Sequence, residues 1–238
     1  MSAIIFDVDD TLYDQVVPFW KAYEAVFGGR YQLPMDGLFA ASRRRSDEVF
    51  GPSQRGEITM EEMYIYRIQK AFEDFQVAIT DQEALRFQAE YAGNQKRLEM
   101  SEKMREILDL CVNRIPIGII TNGPSEHQWK KVNALGAQRW FPRENIFVSG
   151  DVGAAKPDRR IFDHVCDRMG QKPEDMYLVG DSYENDIAGA MRAGWRAIWL
   201  NRRGHKHPEG GFVPWATVES EEELLTVLQK ILKIQTRV

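Results

Sequence analysis

Apolar positions along this chain follow two rhythms. From about residue 14 to residue 99 they recur at helical spacing, in amphipathic stretches at 17–27, 37–50, 59–75 and 81–98. In the third stretch Met60, Met63, Tyr64, Ile68, Ala71 and Phe72 form one face, the stripe of a helix core. Gly28-Gly29, Leu33-Pro34 and Gly51-Pro52-Ser53 punctuate these stretches as breakers. They predict a small helical bundle.

From residue 101 onward the rhythm changes to alternation. Helices are predicted at 102–113, 125–135, 158–169 and 184–193, with a last one starting at Ser220, where Glu223 completes a capping box. Short apolar runs at 115–120, 145–148, 176–179 and 197–200 read as strands between them. Alternating units of this kind predict a parallel sheet with helices on both faces. The opening run Ala3-Ile4-Ile5-Phe6 reads as another buried strand with no partner nearby in sequence. It is therefore expected to join the later sheet, which makes the helical region an insertion after the first strand. An insertion at that place can cover a site like a lid.

Composition narrows the function classes. The chain has 238 residues, enough for two domains, with 43% hydrophobic and 28% charged residues and a net charge of -5. An acidic balance without a basic stripe argues against a nucleic acid partner. The densest basic run, Arg43-Arg44-Arg45, reads as a solvated helix face, with a substrate-facing role left open. No stretch reaches the length of a membrane helix, and the N-terminus has no signal-peptide pattern, so a cytoplasmic, membrane-free protein is expected. Cys111 and Cys166 fall on apolar helical positions and are expected as reduced core residues. The histidines lack zinc-ligand spacing, and His205-Lys206-His207 lies in a Gly- and Pro-rich loop.

Candidate chemistry sits at four strand ends. Asp7-Val8-Asp9-Asp10-Thr11 follows the first strand, where open α/β sheets place ligands. Three acids within four residues repel one another unless a cation offsets them, and a hard divalent metal suits carboxylates. A single acid there is explained by a turn or cap, which covers Asp10 or Asp14 but not the pair Asp7 and Asp9. Thr121-Asn122-Gly123 follows the 115–120 strand, offering a hydroxyl and backbone N–H groups to phosphate oxygens, although such residues are also common in turns. Lys156-Pro157 precedes a helix, beside the small residues Gly153-Ala154-Ala155. Gly180-Asp181-Ser182-Tyr183-Glu184-Asn185-Asp186 follows the 176–179 strand, with Gly180 allowing close backbone approach to a ligand and Asp186 within reach of the same metal or its waters.

In this order, the four motifs resemble those of the haloacid dehalogenase superfamily, in its phosphatase branch. The resemblance covers nearly the whole chain. It implies a Rossmann-like three-layer α/β core over residues 1–14 and 100–238, and an inserted all-α cap of the C1 type over residues 15–99. The segments Gly118-Ile119-Ile120-Thr121-Asn122-Gly123 and Ala197-Ile198-Trp199-Leu200-Asn201 are most similar to the pyrimidine 5'-nucleotidase-like subgroup. The resemblance further implies roles. Asp7 would be the nucleophile that forms an aspartyl-phosphate. Asp9 would protonate the leaving oxygen and then take a proton from water. Thr121, Asn122 and Lys156 would hold the phosphoryl group. Mg²⁺ would be held by Asp7, the Asp9 carbonyl and Asp181. Asn185 and Asp186 would orient Lys156 or metal waters. Asp10 and Thr11 would be positional. Dehalogenases of this superfamily lack an acid at the position of Asp9, because a departing halide needs no proton, so Asp9 implies an oxygen leaving group.

These readings converge on a Mg²⁺-dependent phosphatase acting on a small phosphorylated metabolite, a nucleoside monophosphate among the candidates. A phosphomutase on a sugar phosphate and a catalytically idle binding protein are the alternatives. Intact Asp7, Asp9, Thr121, Lys156 and Asp181 weigh against the last. Neither the substrate nor the oligomeric state is readable, though residues around Phe50 and the run of Arg43, Arg44 and Arg45 are candidates to meet a second charged group.

Overall fold

The computed structural model describes residues 2–235, apart from the side chains of Asp47, Phe50, Gln54, Ile234 and Gln235. The chain divides into two compact units, Met1–Asp14 with Glu99–Val238, and Gln15–Leu98.

β1 (Ala3–Phe6) is buried over its whole length, as a run of four apolar residues without polar alternation requires. The second unit then follows as helices α1 (Val16–Phe27), α2 (Met35–Gln54), α3 (Met60–Glu73) and α4 (Asp81–Gln95). Thr59 with Glu62 and Thr80 with Glu83 form capping boxes that start α3 and α4. The core of this unit is aromatic. Phe19 meets Phe39, Phe87 and Tyr91 edge-on, at centroid distances of 5.3, 4.8 and 5.7 Å. One expected break is absent, because α2 runs through Gly51, Pro52 and Ser53. Pro52 lies in the last turn, where its missing N–H removes a single bond, and the Arg55 N–H still closes on the Gly51 carbonyl at 3.1 Å. The loop expected around Phe50 is therefore helix, and the Phe50 side chain lies outside the described residues. Arg44 and Arg45 both reach Asp74, and Arg45 also reaches Glu48, so the basic run is an ion-paired helix face.

The first unit continues with α5 (Glu102–Val112), β2 (Ile117–Thr121), α6 (Ser125–Ala134), β3 (Ile146–Val148), α7 (Ser149–Val152), α8 (Arg159–Met169), β4 (Met176–Gly180), α9 (Gly189–Arg192), β5 (Arg196–Leu200), β6 (Ala216–Val218) and α10 (Glu221–Gln235). β6 is only three residues long and follows Pro214 closely, too short a segment to be announced by pattern, and it pairs with β5 from Ile198 to Leu200. Among the described residues the strands form one parallel sheet in the order β3-β2-β1-β4-β5-β6. β1 lies between β2 and β4, and the direction of winding reverses there. That reversal opens a crevice beyond the carboxyl ends of β1 and β4. Side chains of β1 alternate between the two faces. Ala3 and Ile5 join a cluster with Ile161, Phe162 and Val165 of α8, and Phe6 meets Phe141 edge-on at 5.9 Å.

Cys111 and Cys166 are buried and free, and burial pushes the Cys111 thiol up to about 12. Among the described residues no helix is long and apolar enough to cross a membrane.

Candidate active site

β1 delivers Asp7 to the crevice. The strand's hydrogen bonding extends one residue past Phe6, with the Asp7 N–H donating to the Val179 carbonyl at 2.9 Å. The Asp7 carboxylate is thereby pinned beside the end of β4. Lys156 Nζ lies 2.5 Å from Asp7 Oδ1 and 2.5 Å from Asp186 Oδ1, and all three side chains are buried. Asp186 Oδ2 also accepts the Ser182 N–H at 3.0 Å. Asp7, Asp181 and Asp186 each place a carboxylate oxygen within 4.8 Å of the others.

The resemblance gives Asp186 an orienting role toward Lys156 or the metal's waters, and its ion pair with Lys156 fits that role. It lies in a π-helical turn, Tyr183–Ala188. The Ile187 N–H reaches back five residues to the Ser182 carbonyl at 3.3 Å, and the widened turn brings Asp186 inward. At Gly180 a Cβ would stand 2.4 Å from Asp186 Oδ2, so the glycine makes room for the Asp186 carboxylate. Asn185 contributes a backbone N–H to Ser182 Oγ at 3.4 Å.

The turn after β2 holds Lys156 from the other side. The Asn122 side chain donates to the Lys156 carbonyl at 2.7 Å and accepts the Lys156 N–H at 2.9 Å. Both functional atoms of that amide are thus engaged by the lysine backbone. The Gly123 N–H is committed as well, to Ser149 Oγ at 2.9 Å. Thr121 is buried at the end of β2.

Asp9 points to a different set of partners. Lys131 Nζ lies 2.7 Å from Oδ1 and 2.6 Å from Oδ2, the Tyr13 hydroxyl donates to Oδ1 at 2.6 Å, and Gln128 Nε2 lies 3.4 Å from Oδ2. None of these partners was singled out in the sequence. The signal was faint: Gln128 and Lys131 are one turn apart on a polar helix and are indistinguishable there from the exposed Lys130. Asp10 has φ 55° and binds Arg203 at 2.9 Å, while Arg202 donates to the Asp10 and Thr11 carbonyls at 3.4 and 3.2 Å. Asp10 thus shapes the loop through Arg203, and its charge is also felt at Asp181.

A family model for haloacid dehalogenase-like hydrolases matches residues 1–194. The chain belongs to this family. N-acylneuraminate-9-phosphatase of Rattus norvegicus is 26% identical to it over 97% of this chain and 95% of that protein. The pyrimidine 5'-nucleotidase YjjG of Escherichia coli is 39% identical over 52% of this chain and 54% of its own length. The HAD-hydrolase YfnB of Bacillus subtilis, solved with magnesium, superimposes with a TM-score of 0.66 at 23% identity, covering 95% of this chain and 98% of that one. At that identity the likeness is one of fold.

In this haloacid dehalogenase-like site the electrostatics are unbalanced. Burial, opposed by Lys156 and reinforced by Asp186 and Asp9, raises Asp7 to about 7. Burial together with the charges of Asp186, Asp7 and Asp10 raises Asp181 to about 9. Burial alone would depress the Lys156 ammonium, yet Asp186 and Asp7 more than offset it and the net shift is upward. Three carboxyl groups, Asp7 and Asp186 buried and Asp181 half-buried, set against one ammonium leave excess negative charge when all are ionised. An all-oxygen donor set with that excess fits a hard divalent cation, and Asp7, Asp181 and Asp186 are the residues that could hold it.

Proposed function

We propose that the protein is a Mg²⁺-dependent phosphatase that hydrolyses the phosphate monoester of a small metabolite. The observation that carries this reading is the pair of carboxylates at the end of β1: Asp7 in the charged cluster with Lys156, and Asp9 two residues on with its own partners.

In this reading an Asp7 oxygen attacks the phosphorus, the bond from phosphorus to the leaving oxygen breaks, and Asp9 gives that oxygen its proton. Water then attacks the aspartyl-phosphate, the bond from phosphorus to Asp7 breaks, and the water's proton passes to Asp9. Inorganic phosphate leaves and both aspartates return to their starting states. Thr121, the Asn122 N–H and Lys156 hold the phosphoryl oxygens, and Lys156 offsets the negative charge on Asp7 and the phosphate. Mg²⁺ bound by Asp7, Asp181 and the Asp9 carbonyl, with Asp186 beside it, would supply charge neutralisation at the phosphoryl group. Residues 15–99 are the cap domain of this reading.

Asp9 separates a phosphatase from a dehalogenase, whose halide leaves without a proton. The names of the full-length and partial relatives, phosphatases and a nucleotidase, support the same side of that division. The substrate is placed among small phosphorylated metabolites, with a nucleoside monophosphate as first candidate. The test is phosphate release by the purified protein with Mg²⁺ across nucleoside monophosphates, sugar phosphates and N-acylneuraminate phosphate. Release that disappears in Asp7→Asn supports the reading. No release from any member of the panel, or undiminished release by Asp7→Asn, overturns it.

A further inference from the structure

We propose that Lys131 is a positioning residue that aims the Asp9 carboxylate for proton transfer, acting from α6 together with Gln128. This rests on the reading of Asp9 as the acid and base of a phosphatase. Lys131 comes from a helix far from β1 in sequence, and its ammonium bridges both Asp9 oxygens at 2.7 and 2.6 Å. It is 8% exposed, whereas the side chain of its neighbour Lys130 is 71% exposed and pairs with Glu126 on its own helix. A lysine kept out of water loses its hydration, so its position needs a specific partner, and Asp9 is that partner.

The contact does more than neutralise charge. A carboxylate rotates freely about its last bond unless both oxygens are held. Lys131 spans both, and Tyr13 holds one of them at 2.6 Å, which sets the plane of the group. Gln128, one turn before Lys131, donates 2.7 Å to the Asn122 carbonyl and lies 3.4 Å from Asp9 Oδ2. It also fills the space above Gly123, where a Cβ would come within 2.6 Å of its Nε2. One face of α6 therefore ties the Asp9 carboxylate to the turn of Thr121, Asn122 and Gly123. A carboxyl group held in fixed register with the phosphate-binding turn is what proton exchange with the leaving oxygen and the attacking water requires.

Leaving groups of different basicity separate this role from a structural one. Phenoxide leaves well only when protonated, whereas dinitrophenoxide leaves without help. The experiment measures kcat/KM, which covers phosphoryl transfer to Asp7, for phenyl phosphate and dinitrophenyl phosphate with saturating Mg²⁺. Lys131→Met is expected to lose about 30-fold on phenyl phosphate and less than about 3-fold on dinitrophenyl phosphate, with Lys131→Arg recovering most of the loss. The retained dinitrophenyl activity also certifies that the variant is folded. Equal losses on the two substrates, or no loss on either, overturn the proposal. Asp9→Asn is run beside it: if that variant shows no discrimination between leaving groups, the acid role of Asp9 falls and the positioning role falls with it. If Asp9→Asn discriminates and Lys131→Met does not, only the positioning role is overturned.

Discussion

Lys156 and Asp186 form a buried ion pair at 2.5 Å, and the same ammonium lies equally close to Asp7. The lysine thus sets its positive charge among three carboxyl groups, two of which it touches directly. Removing it leaves buried negative charge without its partner, the costly way to break such a pair. Lys156→Met is expected to lower stability at neutral pH by about 3 kcal/mol, read from urea unfolding without divalent cations. Added Mg²⁺ should return part of that loss, and a variant as stable as the wild type would contradict the arrangement.

Asp7→Asn keeps the shape of the side chain and removes the proposed nucleophile. Hydrolysis of an aryl phosphate is expected to fall by about three orders of magnitude or more, with circular dichroism unchanged. The decisive measurement is a burst of labelled phosphate on the protein, present in the wild type and absent in the variant.

Chelation should silence the enzyme. With EDTA, phosphate release is expected to drop to background, and Mg²⁺ should restore it. Mg²⁺ should also raise the melting temperature of the wild type, by mass action on the native state, and raise it much less in Asp181→Asn. An equal rise in both would remove Asp181 from the metal site.

The raised carboxyl groups predict a direction for pH. Asp181 is raised from 3.8 to about 9 and Asp7 from 3.8 to about 7, so between those limits the folded state binds more protons than the unfolded state. Stability carried by this cluster is then greatest at low pH and is lost as pH rises through the folded values. In EDTA, unfolding midpoints should fall between pH 5 and pH 8, on the order of the range these shifts span. Mg²⁺ should flatten the fall, and so should Asp181→Asn. A midpoint that climbs over this range in EDTA would show that other groups dominate.

Gly180→Ala adds one methyl group where Asp186 already stands, 2.4 Å from its Oδ2. Either the Tyr183–Ala188 turn shifts or the strand end does, at a cost of about 1–3 kcal/mol. Thermal unfolding should register that loss, and Mg²⁺ affinity should weaken with it. Unchanged Mg²⁺ affinity would show that Asp186 is not held by this packing.

The division of labour between sequence and tertiary structure follows from range. Local pattern alone announces β1, β2, β4 and β5, whose apolar runs are buried on both sheet faces, and the helices that carry their own caps, such as α3 and α4. It also places Asp7, Thr121, Lys156 and Asp181 at element ends, since each sits where an apolar run stops or a helix begins. Which of those ends meet is set by the strand order, and only the pairing of β1 with both β2 and β4 brings Asp7 beside Lys156 and Asp181. The inward turn of Asp186 depends on a π-helical geometry that helical periodicity cannot distinguish from an ordinary start. β6 depends on a partner strand, being only three residues long. Lys131 is the clearest case: its sequence neighbourhood is that of a surface lysine, and what makes it a partner of Asp9 is burial against a loop 122 residues away. Periodicity records what each residue does to its own segment, whereas charge pairing across the crevice is a property of the assembled sheet.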